Sequence, residues 1–414
     1  MSTLSPSRYV LTIPAFRNFL IARLFMTFAT NMLGTAVMWQ VYMYTHDNLS
    51  VGIIGLAEFV PFVIVTLFAG YLADIFDRKR IIVSCIFLYS LCALSLYFLS
   101  THLSFVLNST GVVAIYAVNF TIGIIRGFLS PSQSAFSAQL VPSEYYTFSS
   151  NWLNMTWHIG SVGGPAAAGL VYAFGGAGTS YAIIAGMVLI SFILMIQVPS
   201  QPLPEQVREP IFKSLGKGLS YVFNHQIILG SITLDMFAVL FGGAVAMIPG
   251  FAAEVLHSGE IGAGFLRAAP AMGAIIMGVI MTKFPPGKNA GKNLLWAVFG
   301  FGVSTVVFGM STNFILSFVA LAFTGFFDNI SMVIRGTIIQ QYTPNEMRGR
   351  VSAVSSVFIG SSNELGAFES GVAARLMGLV PSVIFGGVMT VLVVGSIGRL
   401  APKLKALDFT KGQS

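Results

Sequence analysis

Long apolar runs separated by short polar stretches make up most of the chain. A run of about 18 or more apolar residues is typical of a membrane-spanning helix, since about 20 helical residues cross the hydrocarbon core of a bilayer. The pattern predicts an all-α integral membrane protein with twelve transmembrane helices and little chain left for soluble domains. The predicted spans, numbered 1 to 12 in chain order, are residues 17–42, 51–73, 81–100, 111–131, 148–174, 178–198, 226–252, 261–284, 293–311, 314–337, 351–378 and 380–400.

The amino-acid composition agrees with this interpretation. Of the 414 residues, 55% are hydrophobic and only 9% are charged, whereas about a quarter of the residues of a soluble protein are charged. No Walker A, His-Glu-x-x-His or Cys-x-x-Cys pattern is present, and the five histidines are scattered. An enzyme, an ATP-driven pump and a bound cofactor or metal are therefore disfavoured. A channel is disfavoured as well, because no repeated selectivity filter is visible.

Lysine and arginine residues mark one side of the predicted membrane protein. The loops near residues 46, 102, 176, 257, 313 and 380 hold none of them. Because basic residues are retained on the cytoplasmic side, both termini are predicted to be cytoplasmic, and the net charge of +7 is an orientation signal rather than a sign of nucleic-acid binding. The basic residues on the cytoplasmic side are Arg8, Arg17, Arg78, Lys79, Arg80, Arg208, Lys213, Lys217, Lys283, Lys288, Lys292, Arg348, Arg350, Arg399, Lys403, Lys405 and Lys411.

The longest connection between spans, residues 199–225, divides the chain into two six-span halves, 1–198 and 226–414. It opens with the Pro-rich stretch VPSQPLPEQVREP, which is typical of a linker. Ile211, Leu215, Leu219 and Val222 then recur at helical spacing, with lysines away from them. They predict an amphipathic helix that lies either on the inner membrane face or against the helix bundle.

Similar residues recur in the two halves at one constant offset. A shift of 202 positions pairs Gly123 with Gly325 and Gly164 with Gly366. The other matches are Gln139 with Gln341, Pro142 with Pro344, Glu144 with Glu346 and Gly169 with Gly371. The matches indicate an internal duplication, and two parallel halves around a site at the membrane midplane are a recurring plan of transporters.

The charged turn between spans 2 and 3, GYLADIFDRKR at residues 70–80, resembles the loop signature of the major facilitator superfamily, roughly G-x-L-a-D-r-x-G-r-k. Its matching residues are Gly70, Leu72, Asp74, Arg78 and Lys79, whereas Asp77 stands where Gly is usual and Ile75 where Arg is common. The variant with three basic residues after the aspartate resembles the subgroup that contains the enterobactin exporter and drug:proton antiporters, as do SPSQSAFSAQLVP at 130–142 and GSSNELGAFESG at 360–371. The resemblance covers nearly the whole chain and implies the two-bundle fold of this superfamily.

The resemblance implies a gating role for this turn. In such proteins the aspartate anchors the start of span 11 and closes the cytoplasmic side, and a carboxylate is stabilised at a helix N-terminus by free N–H groups. Arg348 and Arg350 lie just before span 11 and are candidate partners of Asp74 or Asp77. The predicted latch comprises Asp74, Asp77, Arg78, Lys79, Arg348 and Arg350. The alternative is a turn that only fixes topology.

A second stretch, GSVGGPAAAGL at residues 160–170 in span 5, resembles the G-x-x-x-G-P-x-x-G-G motif of antiporters in this superfamily. Gly160, Gly164, Pro165 and Gly169 match, and Ala168 replaces a glycine. Small residues at this spacing let helices approach closely, and proline bends a helix. The resemblance implies exchange and hence export, and the alternative is ordinary glycine packing.

Charged residues inside predicted spans are expensive and are functional candidates by default. The resemblance implies that spans 1, 4, 7 and 10 line the central cavity, and each of them carries one candidate: Arg23, Arg126, Asp235 and Asp328. Glu58 in span 2 and the polar Asn31 in span 1 complete the set of substrate and proton-coupling candidates. The repeat suggests that Arg126 faces Asp328. The alternative for each residue is a static ion pair or a side chain that reaches the interface. We favour this alternative for Arg335, and for Arg23 we expect it at least as much as a functional role.

The sequence therefore predicts a secondary active transporter that exports an amphipathic small molecule, a siderophore or a drug-like compound, by proton exchange. The alternatives on the same fold are an importer of a metal–siderophore complex and a lysolipid flippase. A carboxylate at Glu58, Asp235 or Asp328 is the predicted proton carrier. We expect a monomer in the bacterial inner membrane, in contact with lipids.

Overall fold

The computed structural model describes residues 6–102, 110–201, 211–284 and 286–409. All secondary-structure elements in this part of the chain are helices, and it contains no strand. The contacts divide the chain into two units. The N-terminal unit is Met1–Thr45 with Ala57–Arg208, and the C-terminal unit is His46–Leu56 with Glu209–Ser414.

Spans 1 to 6 are long helices whose lengths suit a bilayer. They follow a short helix, Pro6–Thr12. Their bounds are Pro14–Thr45, Asn48–Ile75, Arg78–Thr101 and Val113–Gln139 for spans 1 to 4, and Tyr146–Gln197 for spans 5 and 6 together.

Spans 5 and 6 are separated by a turn at Gly176. Its φ of 70° and ψ of −174° are non-helical and accessible almost only to glycine. Because the chain turns at this point, the 52-residue helix Tyr146–Gln197 accounts for two of the predicted spans.

Spans 7 to 12 follow the linker helix Ile211–Asn224. Spans 8 to 12 are the helices Gly259–Lys283, Ala290–Met310, Phe314–Tyr342, Asn345–Met377 and Leu379–Leu400, and a short helix Pro402–Lys405 follows them.

Span 7 is interrupted. Its first part is Gln226–Phe241, Gly242 and Gly243 break the helix, and the chain continues through a 3₁₀ turn, Ala244–Met247, and a π-helical segment, Phe251–Val255, with one α turn between them. Gly243 lies so close to span 11 that an added Cβ would be 2.7 Å from the Gly366 carbonyl oxygen. The break therefore coincides with a tight helix crossing.

Ten helical segments of the described residues are long and apolar enough to cross a membrane. One of them, Ser143–Gln197, holds spans 5 and 6, and the 33-residue span 11 is a further long helix of lower hydrophobicity. Together they account for the twelve predicted transmembrane helices.

The linker helix packs against the C-terminal unit. Val222 is fully buried, and the Tyr221 hydroxyl donates a hydrogen bond of 2.7 Å to the Tyr342 carbonyl oxygen at the end of span 10. A Cβ on Gly218 would lie 3.1 Å from the Arg350 carbonyl oxygen. Of the two predicted placements, these contacts favour the helix against the bundle. Residues 202–210, the Pro-rich part of the predicted linker, lie outside the described residues, and so does the Lys213 side chain.

The start of span 2 belongs to the C-terminal unit, although the sequence analysis assigns it to the first half. Gly52 and Gly371 explain the close packing of this segment against span 11. A Cβ on Gly52 would lie 2.7 Å from the Ala367 carbonyl oxygen, and one on Gly371 would lie 3.0 Å from the Asn48 carbonyl oxygen.

The two units repeat the same helix crossings at equivalent glycines. Gly123 brings span 4 against span 2, where a Cβ would lie 2.2 Å from the Glu58 carbonyl oxygen, and Gly325 brings span 10 against span 8, where it would lie 1.8 Å from the Pro270 carbonyl oxygen. In the same way, Gly164 packs span 5 on span 1, and its equivalent at position 366 packs span 11 on span 7. The offset found in the sequence therefore corresponds to a repeated packing arrangement.

Candidate functional site

In the N-terminal unit, Arg126 of span 4 forms an ion pair with Glu58 of span 2. The Arg126 guanidinium also lies over the Phe62 ring, 5.7 Å from its centroid. Gly123 precedes Arg126 by three residues, so the close crossing at Gly123 brings the two charged side chains within reach of each other. The Arg126 side chain is 45% exposed and that of Glu58 is 17% exposed, so the pair keeps access to solvent or substrate.

In the C-terminal unit, Asp235 of span 7 forms an ion pair with Arg335 of span 10. Both residues are buried, with 3% and 5% of their surface exposed. The Ser331 hydroxyl donates a hydrogen bond of 3.4 Å to Asp235 Oδ1. Because Ser331 and Arg335 are four residues apart on one helix, they reach the carboxylate from the same face.

A second carboxylate shares this site. Asp328 precedes Ser331 by three residues on span 10, and both line one small cavity together with Asp235. The cluster formed by Asp235, Asp328, Ser331 and Arg335, called the acidic cluster below, therefore holds two carboxylates and one guanidinium. The rest of the cavity wall is apolar, with Phe301 of span 9 and Phe327 among its residues. A second negative charge in such surroundings is costly unless a proton or another cation balances it.

Both aspartates were predicted site residues, Arg335 was expected in a static ion pair or at the interface, and Ser331 was not a candidate. The helical spacing of residues 328, 331 and 335, all on one face of span 10, was an available signal. The predicted partner of Arg126 was Asp328, whereas the structure pairs Arg126 with Glu58 inside its own unit. Arg335, which we assigned to a static pair or to the interface, is the buried partner of Asp235.

The other two candidates lie on span 1. The Asn31 amide donates a hydrogen bond of 2.8 Å to the Thr27 carbonyl oxygen of its own helix, and its Cβ supports the crossing with span 5. Arg23 is half-buried on the same helix. Arg23 forms no ion pair with another described residue.

The span 5 motif packs against span 1. A Cβ on Gly160 would lie 2.7 Å from Thr27 Cγ2, and one on Gly164 would lie 2.8 Å from the Phe28 carbonyl oxygen. Pro165 and Gly169 are buried inside the same helix. The motif thus forms a close helix crossing, a geometry that both the antiporter interpretation and ordinary glycine packing require.

In the turn between spans 2 and 3, Asp77 caps the next helix. Its Oδ1 accepts a hydrogen bond of 2.9 Å from the Lys79 backbone N–H, and its other oxygen lies 3.7 Å from Arg80 Nε. The Lys79 ammonium donates to the Ile196 carbonyl oxygen at the end of span 6, and Arg78 is buried. These contacts give the carboxylate that replaces the usual glycine a local role. The Asp74 side chain lies outside the described residues.

The predicted partners of the latch each make contacts within the C-terminal unit. The Arg348 guanidinium donates a hydrogen bond of 2.9 Å to the Gln340 carbonyl oxygen, and Arg350 lies 3.5 Å from the Met347 sulfur. The latch stays a prediction.

Known proteins resemble the chain in sequence. The family described as Major Facilitator Superfamily matches residues 19–367. An enterobactin exporter, EntS, of Shigella dysenteriae serotype 1 (strain Sd197) is 28% identical over 388 residues, which is 93% of this chain and 91% of that protein. EntS of Escherichia coli (strain SMS-3-5 / SECEC) is 28% identical over 411 residues and 96% of both chains.

Solved structures share the fold. A bacterial homologue of the human lysosomal transporter Spinster superimposes with a TM-score of 0.70 at 13% identity and covers 98% of this chain and 97% of its own. A D-xylose–proton symporter gives a TM-score of 0.73 at 13% identity, with 95% and 99% covered. The similar relatives and neighbours are transporters rather than enzymes. With its family match over most of the sequence and its two helical units, this multi-pass membrane protein belongs to the major facilitator superfamily.

Proposed function

We propose that this transporter exports an amphipathic small molecule, a siderophore or a drug-like compound, in exchange for protons by alternating access. Its sequence relatives are enterobactin exporters, which supports export of a compound of that kind. The span 5 motif, with Gly160, Gly164, Pro165 and Gly169 at a close helix crossing, is consistent with exchange.

The observation that carries the proposal is the charge imbalance in the acidic cluster. Arg335 balances one of the two carboxylates, Asp235, and leaves Asp328 beside it without a partner cation of its own among the described residues. The remaining carboxylate needs a second cation in an apolar setting, and a proton is the smallest one available. When the site opens to the two sides of the membrane in turn, this carboxylate can take up a proton from one side and release it on the other.

The N-terminal unit supplies a second charged surface. The half-exposed Arg126 with its neighbour Phe62 offers a cation beside an aromatic ring. Such a surface suits a substrate with both polar and aromatic groups. We assign proton binding to the acidic cluster and substrate contact to Arg126.

The test uses inside-out vesicles with an acid interior, a pH-sensitive dye and a panel of siderophores, cationic dyes and lysolipids. We expect one compound to collapse the proton gradient. Asp328→Asn abolishes this response because the exchangeable proton is lost. Glu144→Gln, a change at an exposed carboxylate of the N-terminal unit, is the matched control and keeps it.

Two outcomes would contradict the proposal. If no compound moves protons and a labelled ferric siderophore enters right-side-out vesicles, the protein is an importer. If only lysolipids respond, it is a flippase. The proposal also includes a bacterial inner membrane and cytoplasmic termini, which reporter fusions at either end test.

A further inference from the structure

A large lateral cavity lies in the C-terminal unit between spans 8, 9 and 10. Its volume is about 630 Å³, within the range of about 300–1,000 Å³ that is typical of small-molecule sites. Its wall is mainly apolar and includes Met277, Met281, Trp296, Val303, Phe327 and Ile330. Trp296 is 68% exposed, so the cavity opens on the outer surface of the unit, where a membrane protein meets lipid.

One end of this cavity is basic. Lys288 and Asn293 line it, and the Asn293 amide donates a hydrogen bond of 3.1 Å to the Lys288 carbonyl oxygen, which holds the connection between spans 8 and 9 in place. Lys288 is exposed and forms no ion pair in the described part of the chain. Its ammonium is therefore available to an anion at the mouth of the cavity.

The surrounding sequence adds positive charge and no negative charge. Lys283 and Lys292 flank Lys288 within ten residues, and no Asp or Glu occurs between Glu260 and Asp328. Basic pockets between transmembrane helices at a membrane face favour anionic lipid head groups. The apolar wall and the basic mouth together match an amphiphile with a negative head and a hydrocarbon tail.

We propose that this cavity binds an anionic phospholipid from the leaflet that borders the lysines. One acyl chain lies against Met277, Trp296 and Val303, and the phosphate accepts hydrogen bonds from the Lys288 ammonium and from the second N–H of the Asn293 amide. Close packing of the acyl chain on the cavity wall holds the lipid in place, and Lys288 supplies the preference for a negative head group.

The lipid cavity shares a wall with the acidic cluster. The Phe327 ring lines both the lipid cavity and the small cavity that contains Asp235 and Asp328. Gly300 gives the ring its room, since a Cβ there would lie 2.7 Å from Phe327. A lipid in the cavity therefore contacts the residue that closes the acidic cluster on that side.

The test uses Trp296 as a reporter inside the cavity. Trp39, Trp152 and Trp157 are replaced by Phe, which leaves one tryptophan, and the protein is placed in phosphatidylcholine bilayers with a minor fraction of brominated lipid. We expect quenching of Trp296 to show that brominated phosphatidylglycerol occupies the cavity about fivefold more than brominated phosphatidylcholine at the same fraction in the bilayer. This is the preference that one lysine near a membrane surface contributes. Lys288→Gln removes this preference.

Lys292→Gln is the matched control, because it makes the same charge change four residues away at a side chain that does not line the cavity. It keeps the preference. Equal quenching by the two lipids would overturn the proposal, because the cavity would then have no preference for a negative head group. An equal loss of the preference in both lysine variants would also overturn it, because general surface charge would then explain the preference. If a transported compound relieves the quenching over the concentrations that saturate transport, the cavity is a substrate entrance instead.

Native mass spectrometry gives a second readout on the protein with all four tryptophans. We expect bound phosphatidylglycerol on the unmodified chain and on Lys292→Gln, and its loss in Ala297→Phe, which fills the cavity from span 9. Retention of the lipid in Ala297→Phe would contradict the assigned position.

Discussion

The two units each pair an arginine with a carboxylate across a helix crossing, but the surroundings of the two pairs differ. Arg126 and Glu58 are partly exposed and lie beside an aromatic ring. Asp235 and Arg335 are buried, the Ser331 hydroxyl donates a hydrogen bond to Asp235, and a second carboxylate lies beside the pair. The two units thus have the same crossing glycines, Gly123 and Gly325, but different charged residues.

We propose that this difference reflects unlike tasks of the two halves. The partly exposed pair costs less to break and remake, since solvent screens the half-exposed Arg126 guanidinium. A buried pair is expensive to break because each charge is then left uncompensated. The first arrangement suits exchange of contacts with a substrate, and the second suits a site where a proton replaces a missing charge.

The largest expected effect is at the buried pair. Arg335→Gln leaves two carboxylates without a guanidinium. We expect the free energy of unfolding to fall by about 3–5 kcal/mol, as when one partner of a buried ion pair is removed. The measurement is the thermal unfolding midpoint of the purified protein by tryptophan fluorescence. The double variant Arg335→Gln with Asp235→Asn restores most of the loss, because no unpaired charge is created. Equal midpoints for the single and double variants would contradict the buried pair.

The glycine crossings come next. Gly325→Ala places a Cβ 1.8 Å from a backbone oxygen, and Gly123→Ala places one 2.2 Å away, so both helices must shift at a cost of about 1–3 kcal/mol. We expect the larger drop in unfolding midpoint for Gly325→Ala. The control is Gly395→Ala in span 12, which meets nothing within 4 Å and should be neutral or slightly stabilising. A lower unfolding midpoint for only one of the two glycine variants would contradict the structural equivalence of the two crossings.

The cap between spans 2 and 3 should have a moderate effect. Asp77→Ala removes the acceptor for the Lys79 backbone N–H and should cost about 1 kcal/mol. Asp77→Asn keeps an acceptor oxygen and serves as the control. If both variants keep full stability and lose transport equally, the carboxylate acts in gating rather than as a cap.

The smallest stability change is expected at the exposed pair. Arg126→Gln should alter stability by about 1 kcal/mol or less, because the guanidinium is half-exposed, while transport of the substrate weakens. Arg126→Lys keeps the charge and is the control. The unfolding midpoint and the apparent substrate affinity are measured on the same preparations. A midpoint drop as large as that of Arg335→Gln would remove the contrast between the two halves.

Some residues of the candidate site could be predicted from the sequence. Asp235 and Asp328 stand out because charge is rare in apolar runs, and Gly123 and Gly325 stand out through the repeat. The pairing of Arg335 with Asp235 could not be predicted, since the two residues are 100 positions apart on different spans and the local pattern around each carries no information about the other. The same holds for Arg126 and Glu58, 68 positions apart.

The apolar runs by themselves determined that the chain forms long helices, because a backbone inside a bilayer must satisfy its own hydrogen bonds. Gly176 marks a turn for an equally local reason, since its backbone conformation is nearly exclusive to glycine. Tertiary structure alone decided which charges meet and that spans 8 to 10 enclose a cavity. Those outcomes depend on how each helix is rotated and crossed against its neighbours, which is set by the packing of many side chains at once.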